Sequence, residues 1–273
     1  MDYNRGYFKG KTAVVTGGAS GIGLALLEEL LASDADRVVM ADINEERLAT
    51  ESTRLEEQYS GKVKTILCNV TREEEVESLI AQAAEFFGGH VDLLFNNAGF
   101  GAGGSFDKNT NEDWDAAFAL NFYGALYGMR AVIPLMKEQG GGQIANTISG
   151  VAFVPMPYQA RYAATKCALL GLSLSLRAEY WDDNIKITPV TPGTTATHIF
   201  DGMKTPDNAQ TPQAAASHIL CGLVSNDRLI YGDVADTEVA DLAYSSSPET
   251  QKRLDDHASE VARQRRSGNK SAF

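Results

Sequence analysis

The chain has 273 residues, of which 44% are apolar and 22% are charged, and its formal net charge is −12. This length and composition are typical of one globular domain spanning residues 1–273. The acidic balance argues against a nucleic-acid partner, because phosphate backbones bind cationic surfaces. The distribution of apolar residues along the chain also argues against a membrane partner, since no stretch approaches the roughly 18 consecutive apolar residues that span a bilayer.

The first predicted unit is a strand, a glycine turn and a helix. A β-branched run from Lys11 to Thr16 ends at the glycine cluster 17–23, Gly-Gly-Ala-Ser-Gly-Ile-Gly, and an amphipathic helical pattern follows. Such a turn aims backbone N–H groups and a helix N-terminus at a phosphate, and glycine lets the phosphate come close. The spacing Gly-x-x-x-Gly-x-Gly differs from the general G-x-G-x-x-G fingerprint. It is therefore the strand–helix context that predicts nucleotide binding here.

The second predicted strand, Arg37 to Asp42, ends in an acid about 20 residues beyond the glycine cluster, where a carboxylate can bind an adenosine ribose. The same carboxylate would repel a 2′-phosphate, which favours NAD over NADP. The alternative is that Asp42 is the N-cap of the helix that begins near Glu45.

The third and fourth predicted strands also end in polar residues. The third, from Lys62, ends at Asn69, and the sequence Thr71-Arg-Glu-Glu74 predicts a capping box at the start of the next helix. The fourth, Val91 to Phe95, runs into Asn96-Asn-Ala-Gly99. Asparagines in that position serve as turn formers or as polar anchors in a cleft.

A long helical stretch is predicted from Asn111 to Gln139, with Pro134 near its end. Asn121 interrupts the apolar run Phe118-Ala-Leu-Asn-Phe-Tyr in the middle of this stretch. The residue is either a packing asparagine satisfied by protein groups or a kink point that holds a water.

Tyr162 and Lys166 are four residues apart in a helix predicted from Tyr158 to Trp181, so they share one face. A cation next to a phenol lowers its pKa from the ordinary value of about 10. Tyr162 could then exchange a proton with an alcohol or a ketone. Ser149 follows the fifth predicted strand, where its hydroxyl can bond the same substrate oxygen. An ordinary helix surface remains the alternative for a Tyr–Lys pair that has no hydride acceptor nearby.

The rest of the chain continues the alternation of strands and helices. A strand predicted from Asn184 to Val190 runs into Thr191-Pro-Gly-Thr-Thr-Ala-Thr197, and a mixed segment that could form a lid follows at 198–210. The next helix is predicted to begin with Thr211 as its cap and Pro212 at its first position. A short strand (Arg228 to Tyr231) and a C-terminal tail or extra helix (241–273) complete the predicted elements.

Three cysteines, Cys68, Cys167 and Cys221, are scattered singly without the spacing of a metal site or a redox pair. Reduced single thiols suit the cytosol, and the first residues lack the apolar segment of a secretory signal. The sequence therefore predicts a cytoplasmic protein with no metal.

Strands alternating with helices predict an α/β fold with a parallel sheet covered by helices on both faces. Ligands of such sheets bind outside the carboxyl ends of the strands. The polar and glycine-rich segments described above follow strand ends, so they are expected to meet in one site.

With these residues assembled, the chain resembles the short-chain dehydrogenase/reductase family, in its shorter single-domain branch, from Lys9 to Tyr231. The resemblance rests on five motifs in order: Thr16-Gly-x-x-x-Gly-x-Gly23, Asn96-Asn-Ala-Gly99, Asn121, Ser149 with Tyr162-x-x-x-Lys166, and Pro192-Gly193. It implies a Rossmann-type doubly wound parallel sheet of about seven strands.

The resemblance also implies a catalytic tetrad of Asn121, Ser149, Tyr162 and Lys166. In this set Tyr162 is the general acid/base, Ser149 holds the substrate oxygen, and Lys166 binds the nicotinamide ribose while lowering the Tyr162 pKa. Asn121 positions a water that relays protons to solvent. Substrate would contact Ser149, Phe153 and Tyr162.

NAD is the expected cofactor. The residues expected to bind it are Gly17, Ser20, Gly21, Ile22, Gly23, Asp42, Ile43, Asn69, Val70, Asn97, Ala98, Gly99, Tyr162, Lys166, Pro192, Gly193, Thr195 and Thr197. One departure is Asn69, which stands where the family usually has an aspartate touching the adenine amino group. An asparagine carbonyl could accept the same bond.

The predicted function is therefore an NAD-dependent oxidoreductase that interconverts a secondary alcohol and a ketone by hydride transfer, with Tyr162 as the general acid/base. One alternative is a ketone reductase of the same family acting on a steroid-like or other apolar carbonyl substrate. Another is a non-catalytic nucleotide-sensing protein, since fold does not fix function. The resemblance, together with small residues on the helices near 111–138 and 158–181, implies a homodimer or homotetramer.

Overall fold

The computed structural model describes residues 3–198, 204–243 and 245–269. Within them seven parallel strands form one sheet in the order β3-β2-β1-β4-β5-β6-β7. The strands are β1 (Thr12–Thr16), β2 (Arg37–Asp42), β3 (Val63–Leu67), β4 (Leu93–Asn96), β5 (Gly142–Thr147), β6 (Ile185–Thr191) and β7 (Ile230–Tyr231). The predicted doubly wound parallel sheet is confirmed.

Helices follow the strands along the chain. They are α1 (Gly21–Ala32), α2 (Glu45–Gln58), α3 (Glu73–Phe87), α4 (Asn111–Phe118), α5 (Gly124–Glu138), α6 (Ala160–Glu179), α7 (Pro212–Ser225), α8 (Val234–Ala243) and α9 (Pro248–Arg266). None of the helices in the described ranges combines the length and the apolar composition that crossing a membrane requires.

The central strand β1 is buried on both faces, which is why its sequence is continuously apolar or β-branched. Val14 packs into a cluster with side chains of α3, α5 and α6, while Ala13 and Val15 pack on the other face against α1, α2 and α7. Burying one valine or leucine contributes about 1.5–3 kcal/mol of transfer free energy. The two clusters fix the sheet between its two helical layers.

Two local predictions about helix starts have opposite outcomes. The capping box at Thr71 is wrong, because α3 begins at Glu73 with Arg72 as an N-cap residue whose side chain makes no capping bond. Thr71 turns back to Asn69 instead, donating from both N–H and hydroxyl to the amide oxygen. The cap at Thr211 is confirmed, since its hydroxyl accepts from the Ala214 N–H and Pro212 occupies the first turn of α7.

The predicted long helix at 111–139 is helical without a break from Asn111 to Glu138 but changes its winding around Asn121. Residues Ala119–Tyr123 form a π-helical segment between α4 and α5, and Pro134 lies inside α5. A π-helical insertion bulges the backbone outward and is frequent at functional sites. The backbone therefore departs from regular α-helical winding at Asn121, and the amide of Asn121 has protein partners, as the packing alternative expects.

The C-terminal part of the chain forms α8 and α9, so the extra-helix alternative for residues 241–273 is confirmed over Pro248–Arg266. Arg265 of α9 donates a 2.7 Å hydrogen bond to the carbonyl of Pro157, just before α6. Residues 199–203 of the lid predicted at 198–210 lie outside the described residues.

Candidate active site

The glycine turn between β1 and α1 has a shape that only glycine accepts at several positions. Gly17 and Gly21 have φ values of +63° and +54°, in the left-handed region. A Cβ added at Gly23 would lie 2.1 Å from the carbonyl oxygen of Gly17. Ser20 and Ile22, at the start of α1, are half-buried, and the Ser20 side chain makes no capping bond. The turn therefore places no capping side chain of its own on the N-terminus of α1, which suits a phosphate.

Asp42 at the end of β2 is tied to the glycine turn. Its carboxylate accepts hydrogen bonds from the Ala19 N–H at 3.1 Å and from the Asn44 N–H at 3.0 Å. The N-cap of α2 is Asn44, whose side chain accepts from the Arg47 N–H, so the helix-cap alternative for Asp42 is wrong.

Two large apolar side chains near Asp42 are uncovered. Ile43 is 66% exposed directly after β2, and Leu67 is 56% exposed at the end of the neighbouring β3. Apolar side chains flanking a carboxylate at the sheet edge are suited to a ligand with a flat apolar ring and a ribose. This part of the site therefore fits the adenosine half of a dinucleotide.

Asn69 and Val70 follow β3 in the same region. The amide oxygen of Asn69 already accepts the N–H of Thr71 at 3.1 Å and its hydroxyl at 2.8 Å. A carbonyl oxygen has two lone pairs, so this oxygen has no acceptor capacity left for an adenine amino group in this geometry. Val70 is buried, and its side chain packs against Gly124 at the start of α5.

The segment after β4 links the glycine turn to the centre of the site. The Asn97 amide donates to the carbonyls of Thr16 and Gly17, and the Thr16 hydroxyl accepts from the N–H groups of Asn97 and Ala98. Asn96 points inward, where its amide donates to the Asn146 side chain at 2.8 Å. Both asparagines are therefore anchors within the protein.

Asn121 lies in the π-helical segment, and both ends of its side-chain amide bond protein groups. Its oxygen accepts from the Phe100 N–H at 3.0 Å, and its nitrogen donates to the Phe100 carbonyl at 3.1 Å and to the Thr165 hydroxyl at 3.4 Å. The Thr165 hydroxyl donates in turn to the carbonyl of Tyr162 at 2.7 Å. Asn121 thus connects the chain after β4 to the first turns of α6.

Lys166 on α6 is the buried cation of the site. Only 3% of the residue is exposed, and its ammonium donates to the Thr147 carbonyl at 2.8 Å, at the end of β5. The nitrogen lies 5.7 Å from the centroid of the Tyr162 ring. Burial lowers the pKa of Lys166 from 10.5 to about 8. A Cβ at Gly99 would come within 3.5 Å of the ammonium and 3.0 Å of the Asn121 oxygen, so these three residues meet.

Ser149 lies two residues beyond β5 and is half-buried. Its hydroxyl oxygen accepts from the Val151 N–H at 3.4 Å and caps a short 3-10 turn, Gly150–Ala152. Phe153, expected to touch substrate, is buried instead and packs against Tyr231 with ring centroids 6.0 Å apart. The ring therefore belongs to the core in this arrangement.

The segment after β6 returns to the glycine turn. Gly193 has φ +72°, and the Thr195 hydroxyl donates to the carbonyls of Pro192 and Gly193. The Thr197 methyl group would lie 3.1 Å from a Cβ at Gly21. The segment after β6 and the glycine turn, both predicted to bind the cofactor, therefore lie next to each other at the start of α1.

Arg161 is a residue that the sequence analysis did not single out. It precedes Tyr162, is 13% exposed at its side chain, and forms an ion pair of 2.9 Å with Asp113 of α4. Its guanidinium also donates to the carbonyls of Ala102 at 3.3 Å and Gly103 at 2.6 Å. A single arginine at the start of a helix forms no motif with its neighbours in sequence, so these contacts could be found only in the folded structure.

The arrangement places a phenol, a hydroxyl and a buried ammonium at the carboxyl edge of a parallel sheet, beside a glycine turn. Such a set can move a proton to or from an oxygen while a dinucleotide lies along the edge. Among the residues that the structure describes, no three His, Cys, Asp or Glu side chains group as ligands for a metal ion.

Comparisons with known proteins agree with this geometry. A sequence model of the short chain dehydrogenase family matches residues 11–208. The 3beta-hydroxysteroid dehydrogenase 2 of Eggerthella lenta is 32% identical over 211 residues, which are 77% of this chain and 80% of that protein.

Two solved structures are similar over most of the chain. A 7α-hydroxysteroid dehydrogenase complexed with NADH and 7-oxo glycochenodeoxycholic acid has a TM-score of 0.77 at 25% identity, covering 85% of this chain and 96% of that one. The L-sorbose reductase of Gluconobacter frateurii, complexed with NADPH and L-sorbose, has a TM-score of 0.75 at 26% identity, covering 84% and 97%.

The burial of Lys166 predicts a specific dependence of stability on pH. Its folded pKa of about 8 lies below the value of 10.5 expected for an unfolded lysine, so the unfolded chain holds the extra proton between these values. The free energy of unfolding of the wild type should therefore rise relative to Lys166→Met as pH increases from 8 to 10.5. The full difference corresponds to about 3 kcal/mol.

Urea unfolding of both proteins across this pH range measures the effect. Lys9→Met, which removes an exposed lysine, serves as the matched control and should run parallel to the wild type. Parallel curves for the wild type and Lys166→Met would contradict a buried, titrating ammonium.

Proposed function

Because the chain belongs to the short-chain dehydrogenase family, we propose that it is an NAD-dependent oxidoreductase that interconverts a secondary alcohol and a ketone by hydride transfer. The observation that carries the proposal is the buried Lys166 ammonium, 5.7 Å from the Tyr162 ring. Burying a cation is unfavourable unless the charge is hydrogen-bonded and paired with an opposite charge. A phenolate forming next to it would supply that opposite charge.

The residues at the sheet edge fit a dinucleotide. The glycine turn 17–23 would hold the diphosphate, Asp42 the adenosine ribose, and Lys166 the nicotinamide ribose. The exposed Ile43 and Leu67 side chains would flank the adenine. When bound, the nicotinamide ring takes up or gives back the hydride.

The proton chemistry belongs to the side chains of this chain. Tyr162 takes the hydroxyl proton when an alcohol is oxidised and returns it to the oxygen when a ketone is reduced. Lys166 stabilises the phenolate in between, and the Ser149 hydroxyl donates to the same substrate oxygen. Asn121 holds the chain at Phe100 in place and would position a water that relays protons from Lys166 to solvent.

The substrate alternative is a steroid-like or other apolar ketone. Phe100, whose backbone is bonded to Asn121, keeps 38% of its surface exposed at the mouth of this site. Two of the similar proteins described above are named as hydroxysteroid dehydrogenases. An apolar ring system would cover Phe100, whereas a small alcohol would leave it exposed.

A homodimer or homotetramer in the cytoplasm completes the proposal. Tyr123 is an exposed aromatic residue between α4 and α5, stacked on Tyr127, and small residues line the same stretch. Cys68, Cys167 and Cys221 are free thiols, as a reducing compartment allows. Light scattering against the 29.4 kDa chain mass tests the assembly, and cell fractionation tests the location.

A substrate panel tests the reaction itself. We expect the purified wild type to reduce NAD with at least one secondary alcohol, or to oxidise NADH with the matching ketone, as read by NADH absorbance. The panel pairs small alcohols with hydroxysteroids, so that the better substrate decides between the two substrate classes. Binding of NADH without turnover of any compound would favour the nucleotide-sensing alternative.

The cofactor preference should depend on the charge of Asp42. A 2′-phosphate about 4 Å from a carboxylate meets roughly 4 kcal/mol of repulsion per unit charge pair at an effective dielectric of about 20. Even a net penalty of about 3 kcal/mol after screening corresponds to a preference for NAD on the order of a hundredfold. We therefore expect wild-type kcat/KM to favour NAD by about that factor.

Asp42→Ala combined with Ile43→Arg should relax or reverse the preference. Asp42→Asn is the matched control, because it removes the charge while keeping an oxygen for the Ala19 N–H. It should lose most of the discrimination and keep activity with NAD. Similar kcat/KM values of the wild type with NAD and NADP would contradict this role of Asp42.

A further inference from the structure

We infer that Arg161 is a positioning residue, which fixes the loop 100–105 as the wall of the substrate site facing Tyr162. The inference rests on the proposed function, because it assigns the loop to an alcohol or ketone site. It adds a residue whose side chain touches neither the reacting atoms nor the cofactor positions.

The loop 100–105 starts at the centre of the site and is rich in glycine, with the sequence Phe-Gly-Ala-Gly-Gly-Ser. Its first residue follows Gly99, which lies beside Lys166 and Asn121. Glycines leave a chain with many accessible conformations, and fixing them has a large entropic cost. A loop of this composition therefore keeps one shape only if other groups hold it.

Three attachments hold the loop, and two of them involve the residues just before Tyr162. Asn121 bonds both backbone groups of Phe100. The Arg161 guanidinium donates to the carbonyls of Ala102 and Gly103. The Gly104 N–H then donates to the Tyr158 carbonyl at 2.8 Å. The attachments follow one another along the chain, so each fixes a different part of the loop.

The position of Tyr158 depends on the same contacts. Tyr158 has φ +63°, in the left-handed region that a residue with a side chain adopts only when its surroundings impose it. Its carbonyl is the acceptor for Gly104, and the Pro157 carbonyl before it is bonded by Arg265. The strained turn before α6 is thus held from the loop on one side and from α9 on the other.

The ion pair with Asp113 completes the arrangement, because it fixes the direction of the guanidinium. Asp113 is itself oriented by a capping box, in which its carboxylate accepts from the Thr110 N–H and the Thr110 hydroxyl accepts from the Asp113 N–H. Arginine presents its donors in a rigid planar fork, so an ion pair on one arm aims the others at the two carbonyls. A lysine could replace the charge but not this geometry.

The proposal predicts a change in substrate recognition without a change in cofactor binding. Arg161→Met should raise KM for the alcohol or ketone found in the panel by about tenfold or more, because small displacements of positioning groups weaken productive binding. Its kcat should fall less than KM rises, and the dissociation constant for NADH should stay within about twofold of the wild type. Arg161→Lys should give a KM between those of the wild type and Arg161→Met, because a lysine keeps the ion pair with Asp113 but not the hydrogen bonds to both carbonyls.

Hydrogen exchange of the protein without cofactor provides a readout independent of activity. Amides of residues 100–105, that of Gly104 above all, should exchange about tenfold faster in Arg161→Met, because a local hydrogen bond that opens more often loses protection. The matched control is Arg54→Met, which removes an arginine paired with Glu28 and Glu51 between α1 and α2. That variant should leave both exchange in the loop and KM unchanged.

Each outcome decides the proposal. Unchanged exchange in the loop, or faster exchange with an unchanged KM, would overturn it. So would a general loss of protection across the sheet, which would mean that Arg161 stabilises the whole fold. If the wild type turns over no alcohol or ketone, the substrate role falls together with the proposed function, while the exchange data still show whether Arg161 holds the loop.

Discussion

The buried ammonium of Lys166 is the interaction on which the site depends. A lysine enclosed by protein is unfavourable, and here one carbonyl, that of Thr147, compensates part of the lost hydration. That carbonyl stands at the end of β5, which is paired on both sides by β4 and β6, so it cannot move away. The sheet thus fixes the cation, and α6 fixes the phenol of Tyr162 one turn before it.

The chain on the other side of the site is fixed largely by hydrogen bonds from side chains to backbone groups. Asn121 bonds Phe100, Asn97 bonds the glycine turn, and Arg161 bonds Ala102 and Gly103. Side-chain amides and a guanidinium can satisfy backbone groups of irregular segments that no strand or helix satisfies. Loops of small residues can therefore line the site and still keep one shape.

Much of the fold followed from the sequence, because its signals are local. The β-branched runs, the glycine turn after β1 and the Thr211–Pro212 helix start are features of a few adjacent residues, and these elements were predicted within a residue or two. The strand ends predicted Asp42, Asn97 and Ser149 near one sheet edge for the same reason.

The features that the sequence did not reveal depend on contacts between distant segments. Thr71 gives its hydrogen bonds to Asn69, so the expected capping box does not form. Phe153 packs on Tyr231, far along the chain, and so belongs to the core. Arg161 reaches residues 102, 103 and 113 only because α4, α6 and the loop after β4 meet in the fold. Contacts between such distant segments leave no periodicity or spacing in the sequence from which they could be predicted.

The measurement that tests the account most directly is the rate of Tyr162→Phe, compared with the wild type on one secondary alcohol with NAD. The account predicts that kcat falls by about a hundredfold or more, as expected when a general acid/base is removed. NADH binding should remain close to that of the wild type, because the ring still packs beside Lys166. A folded variant that kept a tenth of the wild-type rate would contradict the assignment of proton transfer to Tyr162.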